Sequence, residues 1–400
     1  METMKILIIN SGSSSIKFQV MVMPQELVLC KGMVERLGQK DAKIHYKKGD
    51  FSFNKEMPIH DHREGLEQLM ILIKDPKNGV VGSNGEIDVV GHRVVHGGNS
   101  FGGATKITEK VLKRIKELSF LAPLHNPANA IGIEVCQGLF PNAIQIAVFD
   151  TAFHQTIPPV ASSYAIPRKL AAEHHIRVYG FHGTSHKYVS EKARAYLGKK
   201  SSRLITIHLG NGCSITAIKE GKSMEHSLGF GPSNGLIMGT RSGDVDQSVI
   251  FYLIESCGFT PQEANTMLQK ESGLLGLTGY SDLREIESGA KKGNKDCILA
   301  LAMTAHRIKK YIGAYIAILN GVDALVFTAG IGENSDEMRF RVCSKMEALG
   351  ITLDATKNTQ VASKNEVSEI QGLGEVKVLV VPTDEELEIA KQCYGAVNAS

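Results

Sequence analysis

The chain has 400 residues, 45 Lys and Arg against 42 Asp and Glu for a net charge of +3, and 42% hydrophobic residues. That length exceeds what one core usually serves, so two domains are expected, and the near balance of scattered charge carries no nucleic-acid footprint. The apolar runs are too short to span a bilayer. Residues 1–5 lead straight into a strand, so neither a signal peptide nor a membrane segment is expected. Seven cysteines, widely spread and without a Cys-x-x-Cys pair, fit free thiols in a reducing cytoplasm better than disulfides or zinc.

Residues 5–20 read as an apolar strand, a Gly/Ser/Asn turn and a second strand. Short strands follow at 27–34, 43–46 and 51–53, then a helix at 63–73 from its apolar spacing. A buried strand at 87–90 ends in Gly91-His-Arg-Val-Val-His-Gly-Gly98, placing Arg93 just past the strand with glycines clearing space around it. Its planar fork there suits a carboxylate or phosphate, or else pairs with a nearby acid. A helix at 108–118 is capped by Thr108, and Asn126-Pro127 opens another with asparagine as N-cap and proline in the first turn. The strand 144–149 ends at Asp150, where a carboxylate can reach a metal or substrate, or else cap a turn. The proline-rich 157–159 makes a domain boundary.

His182 and His186 precede and open a helix running to Gly198. No third ligand or glutamate follows in zinc-binding order, so His182 reads as a hydrogen-bond donor in a loop rather than a metal ligand. Residues 204–218 form two β-rich runs joined at Gly210-Asn211-Gly212, a hairpin whose glycines also let backbone N–H groups approach an anion. They resemble residues 5–20, so two related halves are expected, each with a phosphate-sized turn. Gly221-Lys222-Ser223 is not a Walker A loop, because Thr216 stands where the first glycine is required. Arg241, within Met238-Gly-Thr-Arg-Ser-Gly-Asp244, precedes a helix at 245–256 and is a second candidate anion ligand. Thr260 opens a capping box. Ile298, Leu301, Ala305, Ile308, Ile312 and Leu319 mark the buried stripe of a long helix. The apolar strand 324–329 runs into Gly330-Ile-Gly-Glu-Asn334 and a helix, a strand-glycine-helix junction suited to a nucleotide. A last strand at 376–381 leads to a closing helix from Glu385.

Strands followed by helices in each half imply a duplicated α/β architecture with its ligand in the cleft between halves. Two arginines, several small phosphate-cradling turns and acids at strand ends, with no acyl-enzyme nucleophile, fit phosphoryl transfer, which asks a protein chiefly for positioning and charge neutralisation. The resemblance is then specific. Asn10-x-Gly-Ser-Ser-Ser-x-Lys17, Gly91 to Gly98, Pro123-Leu-His-Asn-Pro127, Val148-Phe-Asp-Thr-Ala-Phe-His154, Gly180-Phe-His-Gly-Thr-Ser-His186, His208-Leu-Gly-Asn-Gly212, Met238 to Asp244 and Gly330 to Asn334 together resemble the acetokinase family of acetate and propionate kinases.

That resemblance implies duplicated ribonuclease-H-like domains of the superfamily shared by sugar kinases, heat-shock chaperone ATPases and actin. Residues 1–150 with 386–400 would form an N-terminal domain closed by the C-terminal helix, and 151–385 a nucleotide-binding and dimerising domain. It implies a cytoplasmic homodimer converting acetate and ATP to acetyl phosphate and ADP with Mg²⁺, or Mn²⁺ in its place. Arg93 and Arg241 would bind the acyl carboxylate and the phosphoryl group in flight, with His182 hydrogen-bonded to the latter, and Asp150 would be catalytic. Asn10 and Glu385 would hold the metal beside Asp150, with Ser13, Ser15 and Lys17 nearby, Lys17 also serving ATP. His208, Asn211 and Gly212 would cradle the phosphates, and Asp282, Leu283, Arg284, Gly330, Ile331 and Asn334 the adenosine. Val95, Leu124, Phe181 and Pro232 would line the methyl pocket. Where the family usually has Thr-Pro-Leu-Glu-Gly this chain has Gly231-Pro-Ser-Asn-Gly235, which leaves acyl-chain preference open beside Pro232, while Val95 argues for acetate. The alternatives are a propionate or butyrate kinase of the same family and a nucleotide-switch ATPase.

Overall fold

The computed structural model describes residues 2–12, 14–199, 201–361 and 366–399. The chain divides into two compact units, one of Met1–Ala152 with Asp384–Ser400, the other of Phe153–Thr383.

The first unit is built on a sheet of β1 (Met4–Ser11), β2 (Ser15–Met23), β3 (Leu27–Glu35), β4 (Ala42–Lys48), β5 (Phe51–Met57), β6 (Val89–Val94), β7 (Thr105–Lys106) and β8 (Ile144–Phe149), in the order β5-β4-β3-β2-β1-β6-β8-β7. β1 to β5 form an antiparallel meander, and β6 and β8 lie parallel to β1. β1 is a continuous apolar run because both its faces are covered. Leu7 and Ile9 enter a core with Leu66 and Leu69 of the helix His62–Ile73 and Val135 and Cys136 of the helix Asn126–Leu139. The alternate face, where Ile8 pairs with Gly91, meets the helix Glu385–Asn398. Gly91 has no room for a side chain: a Cβ there would lie 2.7 Å from Cys393 Sγ. β5, at the edge, buries no residue and carries Lys55 and Glu56, which blunt an open strand.

The second unit's sheet has β9 (Arg203–Leu209), β10 (Cys213–Lys219), β11 (Lys222–His226), β12 (Ala324–Thr328), β13 (Ser368–Glu369) and β14 (Lys377–Val380), in the order β11-β10-β9-β12-β14-β13. β9 pairs antiparallel with β10 and parallel with β12, which is parallel to β14. Both sheets contain the same run, the unit's first three strands in antiparallel order followed by two later strands parallel to the first: β3-β2-β1-β6-β8 in one and β11-β10-β9-β12-β14 in the other. This is the duplicated ribonuclease-H-like topology.

Four local expectations are corrected. Arg93 lies inside β6, not past it, because the ladder with β8 pairs Arg93 with Val148. Asn126 is the first helical residue and His125 the N-cap, for Asn126 is fully buried and bonded elsewhere. The helix after Arg241 is Gln247–Glu255, capped by Asp246, whose side chain accepts from the Ser248 N–H. In the long helix Lys295–Leu319, Ile298 is 44% exposed and Cys297 takes the buried position instead. The Thr260 capping box forms with both reciprocal bonds. All seven cysteines are free thiols, and only Cys257 is exposed.

Candidate functional site

In the first unit three parallel strands end side by side, and each delivers one polar group. β1 brings Asn10, β6 brings Arg93, and Asp150 follows β8. The Arg93 guanidinium donates from Nε to Asp150 Oδ1 at 3.0 Å and from Nη2 to Oδ2 at 2.5 Å, and Nη1 donates to Asn10 Oδ1 at 3.0 Å. Asp150 is 1% exposed, so this two-point pair is desolvated. Burial alone would lower the Arg93 pKa, but the charges of Asp150 and Glu385 outweigh it and raise it. Of five guanidinium N–H groups three are spent here, leaving two for a ligand. Glu385 opens the C-terminal helix, and burial, with Asp150 and Glu386 adding negative charge against Arg93 and Lys17, pushes its carboxyl up to about 7. Lys17 is exposed on β2 opposite Asn10, and Ser15 opens that strand. Ser13 lies outside the described residues.

The segment after β6 is pinned by two buried asparagines of the helix Asn126–Leu139. Asn129 Oδ1 accepts from the Val95 N–H at 3.0 Å, while Asn126 bonds both the N–H and the carbonyl of His96 at 3.1 and 3.0 Å. Val95 is thereby held at 8% exposure, whereas Leu124 is 56% exposed.

In the second unit the groups converge on the turn Gly210-Asn211-Gly212 between β9 and β10. A Cβ on Gly212 would stand 3.3 Å from the His182 ring and 3.8 Å from Arg241 Nη1, so only glycine leaves this space open. His182 caps the helix Gly183–Leu197 in a left-handed conformation, φ 56°. Its ring stacks on His208 with centroids 4.4 Å apart, and its Nδ1 bonds Ser214 Oγ at 2.9 Å. Ser185 Oγ bonds His208 Nδ1 at 2.8 Å. Arg241 donates to the Pro232 carbonyl at 2.9 Å, and burial lowers its pKa. Among the described residues it forms no ion pair. The Asn211 carbonyl accepts from the Gly239 N–H at 3.0 Å, locking the turn to the Arg241 loop.

Beside the turn a cavity of about 720 Å³ is lined by Asn211, Asp282, Leu283, Arg284, Gly330, Ile331 and Asn334. That size suits a nucleotide-sized ligand. Asp282 caps the helix Leu283–Lys291 and pairs with Arg284 at 2.5 Å, whose hydrogen bonds draw its pKa down to about 2. Gly330 is exposed with open space where a side chain would stand.

A profile of the acetokinase family matches residues 5–391. The chain belongs to the acetokinase family. It is 60% identical over 392 residues to an acetate kinase of Flavobacterium johnsoniae, covering 98% of this chain and 99% of that one. A solved acetate kinase of Porphyromonas gingivalis superposes with a TM-score of 0.93 at 44% identity, covering 98% of this chain and all of the other. A propionate kinase of Francisella tularensis gives 0.92 at 41%, covering 98% and 99%. Overall likeness to this acetokinase family thus does not separate the acyl chains.

Several supporting residues in this acetokinase-family chain escaped sequence reasoning. Arg339 is 2% exposed and donates to the carbonyls of Gly332, Glu333 and Asn358 and to Asn358 Oδ1, bracing the Gly330 turn from behind. Asp244 Oδ1 accepts from the Gly235 N–H at 2.7 Å and Oδ2 from Tyr311 Oη at 2.8 Å, closing the loop that carries Arg241. Asn129 gave no local signal, since an asparagine inside a helix has no pattern until its partner is known.

Proposed function

We propose that this protein is an ATP-dependent acetate kinase, transferring the γ-phosphoryl group of ATP reversibly to acetate. The observation that carries this is Arg241: a partly buried guanidinium without an anionic partner among the described residues, beside His182 and a glycine turn that leaves room for phosphate oxygens. A cation held so is poised for a charge that arrives with the substrate.

In the proposed reaction an acetate oxygen attacks the γ-phosphorus in line, the bond from that phosphorus to the ADP oxygen breaks, and no side chain is phosphorylated. Arg241 and His182 neutralise the equatorial oxygens. The two spare N–H groups of Arg93 hold the acetate carboxylate while Asp150 keeps the guanidinium oriented. Backbone N–H groups of Asn211 and Gly212, with His208, hold the ATP phosphates, and Asp282, Leu283, Arg284, Gly330, Ile331 and Asn334 the adenosine. Lys17 is assigned to the phosphate chain. Val95, Leu124, Phe181 and Pro232 are assigned to the acyl methyl. The retained Val95 favours acetate over propionate, by a margin of about 1–3 kcal/mol per methylene.

The oxygen donors of Asn10, Asp150 and Glu385, in a group where the three carboxylates Asp150, Glu385 and Glu386 face the two cations Arg93 and Lys17, fit a hard divalent ion such as Mg²⁺ or Mn²⁺. Among the described residues no three His, Cys, Asp or Glu side chains are grouped to cage a metal, so waters and phosphate oxygens would complete the shell of an ion bound here. Bound there, Mg²⁺ would neutralise phosphate charge. No described helix is long and apolar enough to cross a membrane, and the seven free thiols support a cytoplasmic enzyme. A homodimer is supported by the helix Gln247–Glu255, which buries none of its residues within the chain and leaves Phe251 and Tyr252 59% and 63% exposed.

The test is hydroxylamine trapping of acyl phosphate with ATP, Mg²⁺ and a series of carboxylates. Acetate should give the highest kcat/KM for hydroxamate formation. Absence of hydroxamate with every acid would overturn the assignment, and ATP hydrolysis independent of acetate would favour a nucleotide switch.

A further inference from the structure

Behind His182 lies a group of buried histidines that the proposed reaction leaves without a task. His154 and His226 are 1% and 4% exposed, with rings 4.1 Å apart. Both bond the backbone of Phe181, the residue before His182. His154 Nε2 lies 2.9 Å from the Phe181 carbonyl oxygen, and the Phe181 N–H reaches His226 Nε2 at 3.1 Å.

These partners dictate the protonation of each ring. A carbonyl only accepts, so His154 carries its proton on Nε2 and its Nδ1 accepts from Ser223 Oγ at 2.9 Å. An amide N–H only donates, so His226 Nε2 is bare and its proton sits on Nδ1, directed to Thr216 Oγ1 at 2.7 Å. The two imidazoles are neutral and of opposite tautomer. Burial holds both below the usual histidine pKa, His154 at about 4.

The clamp acts where the backbone is least free to choose its own conformation. Gly180 has φ +75° and His182 φ 56°, so the chain twists into the left-handed region on both sides of Phe181. A Cβ on Gly180 would stand 2.7 Å from the His154 ring, so His154 occupies the space that glycine vacates. Phe181 itself is 3% exposed.

We propose that His154 and His226 are positioning residues: by gripping the carbonyl and N–H of Phe181 with opposite tautomers, they fix the peptide that aims His182 at the transferring phosphoryl group. The inference rests on the acetate kinase assignment, and neither histidine touches a reacting atom.

Amide side chains separate the two ends of each ring. Glutamine places a polar atom near the Nε2 position and asparagine near Nδ1. His226→Gln therefore restores the acceptor for the Phe181 N–H, whereas His226→Asn keeps only the bond to Thr216. Likewise His154→Gln keeps the donor to the Phe181 carbonyl, and His154→Asn keeps only the bond to Ser223. Hydroxamate assays should show kcat lowered about 10- to 100-fold in each asparagine variant, on the scale expected of sub-ångström misplacement. ATP KM should stay within about threefold, and each glutamine variant should recover most of the loss. In a His182→Ala background, His226→Asn should lower kcat no further, since its effect passes through His182.

Equal losses in the asparagine and glutamine variants at both positions would overturn the proposal, as would an undiminished effect of His226→Asn in the His182→Ala background. Should His226→Asn fail to fold by thermal melt, the His154 pair reads the same clamp from the carbonyl side. A wild-type enzyme that forms no hydroxamate would instead overturn the underlying activity, so the two failures are distinguishable.

Discussion

The two units use the same strand order, yet their arginines stand in opposite states. Arg93, inside β6, is matched to a buried carboxylate at two points and to Asn10 at a third. Arg241, on a loop, has only a carbonyl and a thioether sulfur as partners among the described residues. The hairpin turns differ in the same sense. The last pair of the first hairpin, Ser11 with Ile16, encloses four residues of which one is glycine, while Leu209 with Cys213 encloses three, two of them glycine. One topology thus supplies a charge-balanced end that holds a ligand with spare donors, and an unbalanced end that awaits an anion. An arginine's neighbours, more than its place in the fold, decide whether it acts first in stability or in chemistry.

Substitution at each arginine sharpens that contrast. Arg241→Ala should lower kcat by about 10²–10³-fold in the hydroxamate assay, the cost of removing one preorganised charge-stabilising group. ATP affinity by nucleotide titration and the urea midpoint should barely move; equal losses of turnover and ATP affinity would remove Arg241 from the transferring group. Arg93→Ala should in addition cost roughly 3–5 kcal/mol in urea unfolding, because it strands the buried Asp150 carboxylate. A variant as stable as the parent would show that the pair is solvated.

Glu385 extends the comparison to pH. Its folded pKa of about 7 lies above the ordinary 4.5. A carboxyl that holds its proton more tightly when folded contributes stability at low pH, and that contribution is lost as pH rises from about 4.5 through about 7. Thermal midpoints should therefore fall across that window, and Glu385→Gln should flatten the fall. Mg²⁺ favours the carboxylate, so its added stability should be larger at pH 8 than at pH 6 and should shrink in Glu385→Gln. The smallest effect concerns thiols. Burial pushes Cys136, Cys213 and Cys343 up to about 12, so a maleimide should label Cys257 alone in the native protein, with little loss of activity. Labelling of Cys213 would mean that the Gly210 turn opens.

Much of this was legible in the chain because its signals are local. Alternation and Gly-Asn-Gly marked the β9–β10 hairpin, and Thr260 with Glu263 marked a capping box, since each depends on residues within a few positions. The errors arose where a distant partner overrode a local preference. Asn126 has the look of a helix cap, but its amide is taken by the backbone of His96, thirty residues away in sequence. Arg93 follows glycine and histidine, poor strand markers, yet its parallel neighbour β8 extends the ladder across it. Ile298 fits the apolar spacing by type, but Cys297 is the residue that meets the neighbouring helix, at Gly289. The bonds of His154 and His226 to Phe181 span 27 and 45 residues, beyond any motif.

The first unit is finished by the last helix of the chain. Glu385–Asn398 packs on β1, β2, β6 and β8 and fills the gap that Gly91 leaves for Cys393 and Ile389. On the ribosome, then, the amino-terminal sheet is made first and completed last. The whole of Phe153–Thr383 must be synthesised in between, some tens of seconds at about 5–20 residues per second. Through that interval the apolar face of β1 and β6 lacks its cover and is a natural client surface for chaperones. A cut after Thr383 would leave the second unit's sequence intact while withholding both the lid of that core and Glu385.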